Sequence, residues 1–428
     1  MSDSSASLDV AAPAAPADSA DVVIVGGGPA GSSAAARLAR AGIDCVVIEK
    51  KRFPREKTCG DGLTPRSVKA LLDLGMDEEL SRWHRVKGLR AWGAGRMLEL
   101  DWPEHPVFPP YGAVVTRAEL DMAIAERAKK EGATFFEETE AVEPILRDGV
   151  IEGVVAKPKD AETFGLRARY VLVCDGSLSR FGRALGNARD PKYPLGMAIR
   201  GYFDSPRHDD GYIESHLDIV DAAGRSLPGY GWIFPVGDGS VNVGIGLLST
   251  FKDWKGVNTS KLMDAFAQMA PGYWEIDPDA GRSVRGGKLP MGMSVRPRVG
   301  PNWLVAGDAG GVLNPFNGEG IAYAMETSEV AAAVIEDALG SGDGRALLRY
   351  PSILDERYSD YYRAARAFSR VLGEPALMGR LVQIGMRSRP LMEIVLRVLA
   401  NLLTPGLRRP ENVLYAVLER AVAIGPEP

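Results

Sequence analysis

The sequence predicts an α/β protein: a discontinuous Rossmann-like nucleotide-binding domain, an inserted antiparallel β-sheet that forms a substrate domain, and a helical C-terminal segment. Three observations predict it. A β-branched run, Asp21–Val25, meets a glycine-rich turn and a helix of small residues. Between about 190 and 285 apolar and polar residues alternate between Gly and Pro breaks. Near the C-terminus apolar residues recur at helical spacing. A continuous apolar run reads as a doubly buried parallel strand, an alternating run as a strand with one covered face, and a 3.6-residue period as an amphipathic helix.

Taken in order, Asp21–Val25 is the first strand, Gly26–Gly31 the turn, Ser32–Ala41 a helix ended by Gly42, and Cys45–Glu49 the second strand. This is a complete βαβ unit. Residues 65–82 and 117–131 read as helical; Thr116 is the N-cap of the latter, with Glu119 at the capping-box position. Tyr170–Cys174 and Trp303–Ala306 are further buried strands, Leu195–Phe203 and Ser240–Leu247 belong to the antiparallel sheet, and Gly320–Leu339 is a long helix. The units divide into a tail over 1–20, a nucleotide-binding domain over 21–85, 115–190 and 285–345, a substrate domain over 86–114 and 191–284, and a helical segment over 346–428. In that last segment Leu391, Ile394, Val395, Val398, Leu399, Leu402 and Leu403 fall on one face, and Leu414, Val417, Leu418, Ala421 and Val422 repeat the spacing. Residues 380–420 carry seven Arg against three Glu.

The 428 residues suffice for two or three structural units. A hydrophobic share of 45%, a charged share of 25% and a net charge of −5 give no global signal for nucleic acid. Cys45, Cys59 and Cys174 are too few for a disulfide framework, and the chain reads as intracellular. Four His without ligand spacing predict no metal site. The first twenty residues read as a disordered tail, not a signal peptide. No stretch reaches the roughly 18 apolar residues that a membrane-spanning helix needs.

Gly26-x-Gly28-Pro29-Ala30-Gly31 carries the first chemistry. Its glycines allow a tight turn, close approach of the backbone to a pyrophosphate, and close helix–strand packing, with the phosphates at the helix N-terminus. Glu49, 21 residues after Gly28, suits ribose hydroxyls and disfavours a 2′-phosphate. Gly307-Asp308-Ala309 follows a buried strand, so Asp308 can face a ribityl chain. Pro315–Gly320 opens a helix whose positive end would face the pyrimidine ring of a flavin. Together these segments indicate FAD over NAD.

With Cys174-Asp175-Gly176-x-x-Ser179 as a second fingerprint, residues 20–375 resemble the flavoprotein monooxygenase superfamily of p-hydroxybenzoate hydroxylase type. Within it the chain is similar to the geranylgeranyl reductase family, through Cys59-Gly60-Asp61-Gly62 and Tyr230-Gly-Trp232-Ile-Phe234-Pro235, and most similar to its actinobacterial menaquinone reductase branch. Where the family often has a proline three residues before the tyrosine, this chain has Leu227, with Pro228 one place later. The resemblance implies non-covalent FAD held by Gly26, Gly28, Pro29, Ala30, Gly31, Glu49, Lys50, Cys59, Gly60, Asp61, Gly62, Arg117, the Val142 backbone, Asp175, Asp308, Gly318, Gly320 and Ile321. It implies saturation of an isoprenoid C=C bond, most of all in the menaquinone side chain, by hydride from flavin N5 plus a proton.

Cys59 is a candidate proton donor or redox-sensitive lid residue; it reads equally as a small residue that permits close backbone approach. Tyr230 and Trp232 share a strand face with Phe234 as a candidate aromatic wall able to stabilise a transient cation, or as plain sheet core. Cys45 and Cys174 read as inert core. No second Gly-x-Gly-x-x-Gly unit exists, so NAD(P)H would bind transiently in a shared cleft, or another reductant would serve. The basic C-terminal helices suggest peripheral contact with the cytoplasmic face of the cell membrane, or else a cap on the cavity or a dimer surface, in a protein otherwise cytoplasmic. Three alternatives stay open: a geranylgeranyl diphosphate or phospholipid reductase, a flavin-dependent aromatic monooxygenase or halogenase, and a non-enzymatic redox sensor switched by Cys59. Against the halogenase, Gly231–Pro235 lacks the first Trp and the Ile of Trp-x-Trp-x-Ile-Pro.

Overall fold

A computed structural model describes residues 18–220, 227, 229–250 and 258–403. The N-terminal tail up to residue 17, Pro228 and the Leu414–Val422 repeat lie outside the described residues.

The strand Ser19–Val25 pairs in parallel with Cys45–Ile48 on one side and Phe164–Val173 on the other. Thr134–Phe136 extends the sheet beyond Cys45–Ile48, and Trp303–Val305 pairs with the C-terminal part of Phe164–Val173. The N-terminal part of that long strand instead pairs with the antiparallel hairpin Thr139–Arg147/Val150–Pro158. Register aligns the ends of the parallel strands. Val25 stands opposite Ile48 and Val173, and Val173 opposite Val305. The residues just after them (Gly26, Glu49, Cys174-Asp175 and Ala306–Asp308) therefore emerge at one level on the carboxyl edge of the sheet. Open parallel sheets bind ligands at that edge.

The predicted first helix begins earlier than Ser32, at Pro29, because a proline at the first turn gives up no needed N–H. Its small residues pack against the helix Ile321–Ser341, and Ser33 Oγ meets Ser328 Oγ at 2.7 Å. The predicted helix over 65–82 is two helices, Pro65–Asp73 and Asp77–Arg82, broken at Gly75 with φ +76°. At Arg117–Lys130 Thr116 caps the Glu119 N–H as expected, but the Glu119 carboxylate takes the Trp83 indole N–H at 2.7 Å.

A second, mostly antiparallel sheet runs in the order 282–290, 195–204, 240–248, 229–235, 212–216, 88–93 and 96–101, with one parallel pairing between 212–216 and 88–93. Tyr230 stands opposite Gly246, Trp232 opposite Gly244, Phe234 opposite Asn242, and Tyr202 opposite Asn242. These side chains share the face toward the nucleotide domain. The other face is buried by Ile199, Phe203, Ile233, Val243 and Ile245 under Leu262, Met263 and Phe266 of the helix Thr259–Met269.

Three helices, Arg349–Leu372, Pro375–Gly385 and Arg389–Leu399, end the described chain. The last packs Met392 and Leu396 against Leu100 and Trp102 of the second sheet. Of the predicted apolar stripe, Val398 and Leu402 are buried and the other five residues half-buried. No described helix is long and apolar enough to cross a membrane, and the described residues hold no cluster suited to a metal ion.

Candidate flavin site

The glycine turn is dictated by space. Gly26 has φ +101°, and a Cβ there would stand 2.5 Å from the Cys174 carbonyl oxygen; one on Gly31 would fall inside the Gly26 carbonyl. Gly28 is the N-cap of the following helix and offers no side-chain cap, so the first N–H groups of the helix stay free for an anion. Only the Arg55 guanidinium approaches the position a Gly28 Cβ would take, at 3.5 Å.

Glu49 is buried and oriented by protein donors: Oε2 accepts the Gly27 N–H at 2.8 Å and Oε1 the Lys51 N–H at 2.9 Å. Arg55 bridges Glu49 at 3.3 Å and Asp121 at 2.9 Å. Arg117 grips Asp121 through Nε and a terminal nitrogen, at 2.8 and 2.9 Å. Lys50 turns away and pairs with Glu140 at 2.6 Å on the surface. Val142 is exposed on the hairpin strand. Sequence reading missed Arg55 and Asp121. The Arg117/Asp121 spacing of four on a helix was a signal for the second, whereas Arg55 is one of several cations in 50–57.

Asp308 sits at the start of a short 3-10 turn, half-buried, and its carboxylate takes no hydrogen bond from the described residues. Burial pushes its pKa up, while the charges of Lys57 and Arg117 pull it down. The helix Ile321–Ser341 starts from Gly320 without a side-chain cap, and a Cβ on Gly320 would stand 3.3 Å from Asp308 Oδ1. An unpartnered carboxylate beside an open helix N-terminus is a donor–acceptor set that suits ribityl hydroxyls and an electron-rich ring. On the same edge, Asp175 Oδ2 accepts the Phe181 N–H, while its buried Oδ1 takes no hydrogen bond from the described residues. The residues at the edge thus fit FAD: a phosphate turn, an oriented ribose carboxylate, a free acid and an open helix end.

The Cys59–Gly62 loop lies between this edge and the second sheet. Cβ atoms on Gly60 and Gly62 would stand 3.2 and 2.9 Å from the Phe234 ring. Asp61, fully buried with φ +65°, points into the sheet. Cys59 is half-buried; burial and then the Asp61 charge push its thiol pKa up, so it stays protonated at neutral pH. Cys45 and Cys174 are buried, their pKa values also raised by burial. Trp232 is 4% exposed, wedged between Gly60 and Gly244. Tyr230 is half-buried and donates to the Asn317 carbonyl at 2.7 Å, beside Gly318. Of the two ring candidates, Tyr230 is the more open to the cleft.

An FAD binding domain model matches residues 19–206. The chain is 41% identical over 388 residues to the menaquinone reductase of Mycobacterium tuberculosis, covering 90% of this chain and 92% of that protein. The chain belongs to the geranylgeranyl reductase family, on its menaquinone reductase branch. Two further relatives place the branch in the family. The digeranylgeranylglycerophospholipid reductase of Thermoplasma acidophilum is 28% identical, covering 79% of this chain and 84% of that one. A geranylgeranyl bacteriochlorophyll reductase-like structure from the same organism aligns with a TM-score of 0.76 at 25% identity, over 90% of this chain and all of that one. A flavin-dependent brominase variant aligns with a TM-score of 0.71 at 19% identity, over 94% of this chain and 98% of that one, which shows a common fold alone. Membership in this family makes the protein an FAD-dependent oxidoreductase.

Proposed function

We propose that this protein saturates one C=C bond in the isoprenoid side chain of menaquinone. The observation that carries the substrate is the 41% identity to a menaquinone reductase, spread over 90% of the chain. The flavin, once bound and reduced by two electrons, would supply the hydride that such a reduction needs. An isolated trisubstituted alkene has no carbonyl to draw off charge, so the protein must offer a proton and a dry surface that tolerates a transient cation. Cys59 holds a proton at its Sγ, in a loop beside the carboxyl edge. Tyr230 is half-buried, and its hydroxyl is tethered to the Asn317 carbonyl in the segment that opens the helix Ile321–Ser341. Cys59 is the proposed proton donor, with Tyr230 and Trp232 as the aromatic surface.

Lipid extracts of a menaquinone-making host test the reading. Expression of the protein should convert menaquinone to a species heavier by two hydrogens and leave other prenyl lipids unchanged. Unchanged menaquinone would overturn it, and conversion of geranylgeranyl lipids alone would move the substrate to the second branch of the family. NAD(P)H or another reductant delivers the electrons in a transient encounter at the shared cleft. The substrate is a bilayer lipid, and we place the protein peripherally on the cytoplasmic face of the membrane. The helix Pro375–Gly385 supports this placement: it exposes Leu377, Leu381 and Ile384 on one face, next to Arg380 and Arg387.

A further inference from the structure

We propose that Asp61 is a positioning residue: its carboxylate locks the Cys59 loop onto the aromatic strand of the second sheet, so that Cys59 and Trp232 are held as one unit. The inference rests on the reductase reading only where it concerns turnover.

The hydrogen bonds are directional, and they close on Asp61. Oδ1 accepts the backbone N–H of Arg117 at 3.2 Å. Oδ2 accepts the Tyr202 hydroxyl, and the Asn242 amide at 2.8 Å. The same Asn242 nitrogen donates to the Cys59 carbonyl at 3.0 Å, while its oxygen accepts the Trp232 indole N–H at 2.8 Å. An indole nitrogen can only donate, so Asn242 must turn its oxygen to Trp232 and its nitrogen to the loop. The group that receives this nitrogen must then accept, and an ionised carboxylate is an acceptor only. Asp61 accepts three hydrogen bonds in this arrangement, a pattern that an ionised carboxylate satisfies in full.

Sterics fit the same purpose. In Cys59-Gly60-Asp61-Gly62, Gly60 and Gly62 are flattened against Phe234, and Asp61 is consumed by the three donors. Cys59 contributes its carbonyl to the docking, while its thiol faces Arg117 and is not held by Asn242 or Tyr202. The loop therefore fixes Cys59 without spending it. Asp61 adopts the left-handed backbone region, which is unfavourable for a non-glycine residue and persists only where the surroundings over-determine it.

Four groups face the carboxylate: Tyr202 and Arg200 from strand 195–204, Asn242 from strand 240–248, and Arg117 from the helix 117–130. Burial pushes its pKa up to about 6, with the hydrogen bonds of Tyr202 and Asn242 and the charges of Arg200 and Arg117 opposing. The carboxylate is thus charged at neutral pH and takes up a proton in mild acid. A proton on either oxygen removes an acceptor from a site that presents three donors.

The test uses the FAD-loaded protein and the variants Asp61→Asn and Asn242→Leu, with Tyr202→Phe as a milder third that loses one donor. Cys45 and Cys174 are buried, so thiol labelling followed by mass spectrometry reports on Cys59. Hydrogen bonds to a charged group are each worth about 1.5–3 kcal/mol, so the first two variants should label Cys59 about tenfold faster or more while retaining FAD. Tyr202→Phe should fall between them and the wild type. Single-turnover alkene reduction should slow by a similar factor, and the acid limb of the wild-type pH profile, near pH 6, should be absent in Asp61→Asn. Labelling within about twofold of wild type in folded Asn242→Leu and Tyr202→Phe would overturn the proposal, even if Asp61→Asn fails to fold. So would an acid limb unchanged in Asp61→Asn. If wild-type protein turns over no prenyl lipid while the labelling contrast holds, the reductase reading fails and the positioning role stands.

Discussion

At the scale of single residues, the site is a set of steric and charge demands, and these separate into those visible in a linear sequence and those that are not. Gly31 belongs to the first kind. Its missing Cβ is required by the Gly26 carbonyl five residues away, so Gly31→Ala should yield protein that purifies without flavin colour, read by visible absorbance. The position of Asp308 was also legible, as an acid just after a buried strand. Asp308→Ala should weaken FAD binding by about tenfold or more, measured by titration of apoprotein, since a charge-assisted hydrogen bond is worth about 1.5–3 kcal/mol. Arg55, Asn242 and Tyr202 were not legible. Arg55 cannot be told from Lys50, Lys51, Arg52 or Lys57 until the fold carries it over Gly28 and onto Asp121. Asn242 and Tyr202 reach Asp61 across more than a hundred residues of chain, and their neighbours read as ordinary alternating strand. Their meaning lies in register alone.

At the scale of elements, local pattern named the fold class, and tertiary demands then redrew its edges. The β-branched strands and the small-residue helix lie where their periodicity puts them, because burial on both faces leaves a parallel strand little freedom. The helix expected over 65–82 fails at Gly75, where the chain turns with positive φ before Met76 restarts it. The apolar face expected on 391–403 is rotated toward Met392 and Leu396, which meet Leu100 and Trp102. Amphipathic spacing cannot foresee which neighbour the helix will find. The strand Ser240–Leu248 gives the sharpest element-scale test. Gly244 stands opposite Trp232 and leaves the space its ring fills; a Cβ there would also come within 2.5 Å of the Ile199 carbonyl. Gly244→Ala should therefore destabilise the second sheet by about 1–3 kcal/mol through overpacking. Thermal unfolding followed by near-ultraviolet circular dichroism should show a lowered midpoint and a disturbed tryptophan signal. An unchanged midpoint would mean that the ring can shift without cost.

At the scale of the whole molecule, two sheets face one loop: the parallel sheet with its carboxyl edge, the second sheet with the face that carries Tyr202, Tyr230, Trp232 and Phe234. The loop between them is short of freedom because the second sheet holds it through Tyr202 and Asn242 and the start of the helix Arg117–Lys130 holds it through the Arg117 N–H. The C-terminal helices then decide what meets the outside. On Pro375–Gly385 and its C-cap, Val382 and Met386 turn inward toward Gly93 of the second sheet. Leu377, Leu381 and Ile384, spaced four and three apart, turn outward, with exposures of 42%, 40% and 59%. Soluble surfaces scatter apolar residues singly, whereas a row on one helix face beside Arg380 and Arg387 matches an interfacial helix. Burying a leucine or isoleucine side chain is worth about 1.5–3 kcal/mol, and a basic residue at an anionic surface about 1 kcal/mol. Leu381→Glu with Ile384→Glu should therefore reduce binding to vesicles rich in anionic lipid by well over tenfold, read by co-sedimentation. Arg380→Gln with Arg387→Gln should reduce it by about thirtyfold, and only on anionic vesicles. Both pairs belong to an outward face whose inner side packs on Gly93 of the second sheet, so reduction of a short-chain, detergent-dispersed menaquinone analogue should be unchanged while reduction of bilayer menaquinone falls. Equal vesicle binding by wild type and both double variants would remove this helix as the membrane contact and leave the outward row as a surface for protein.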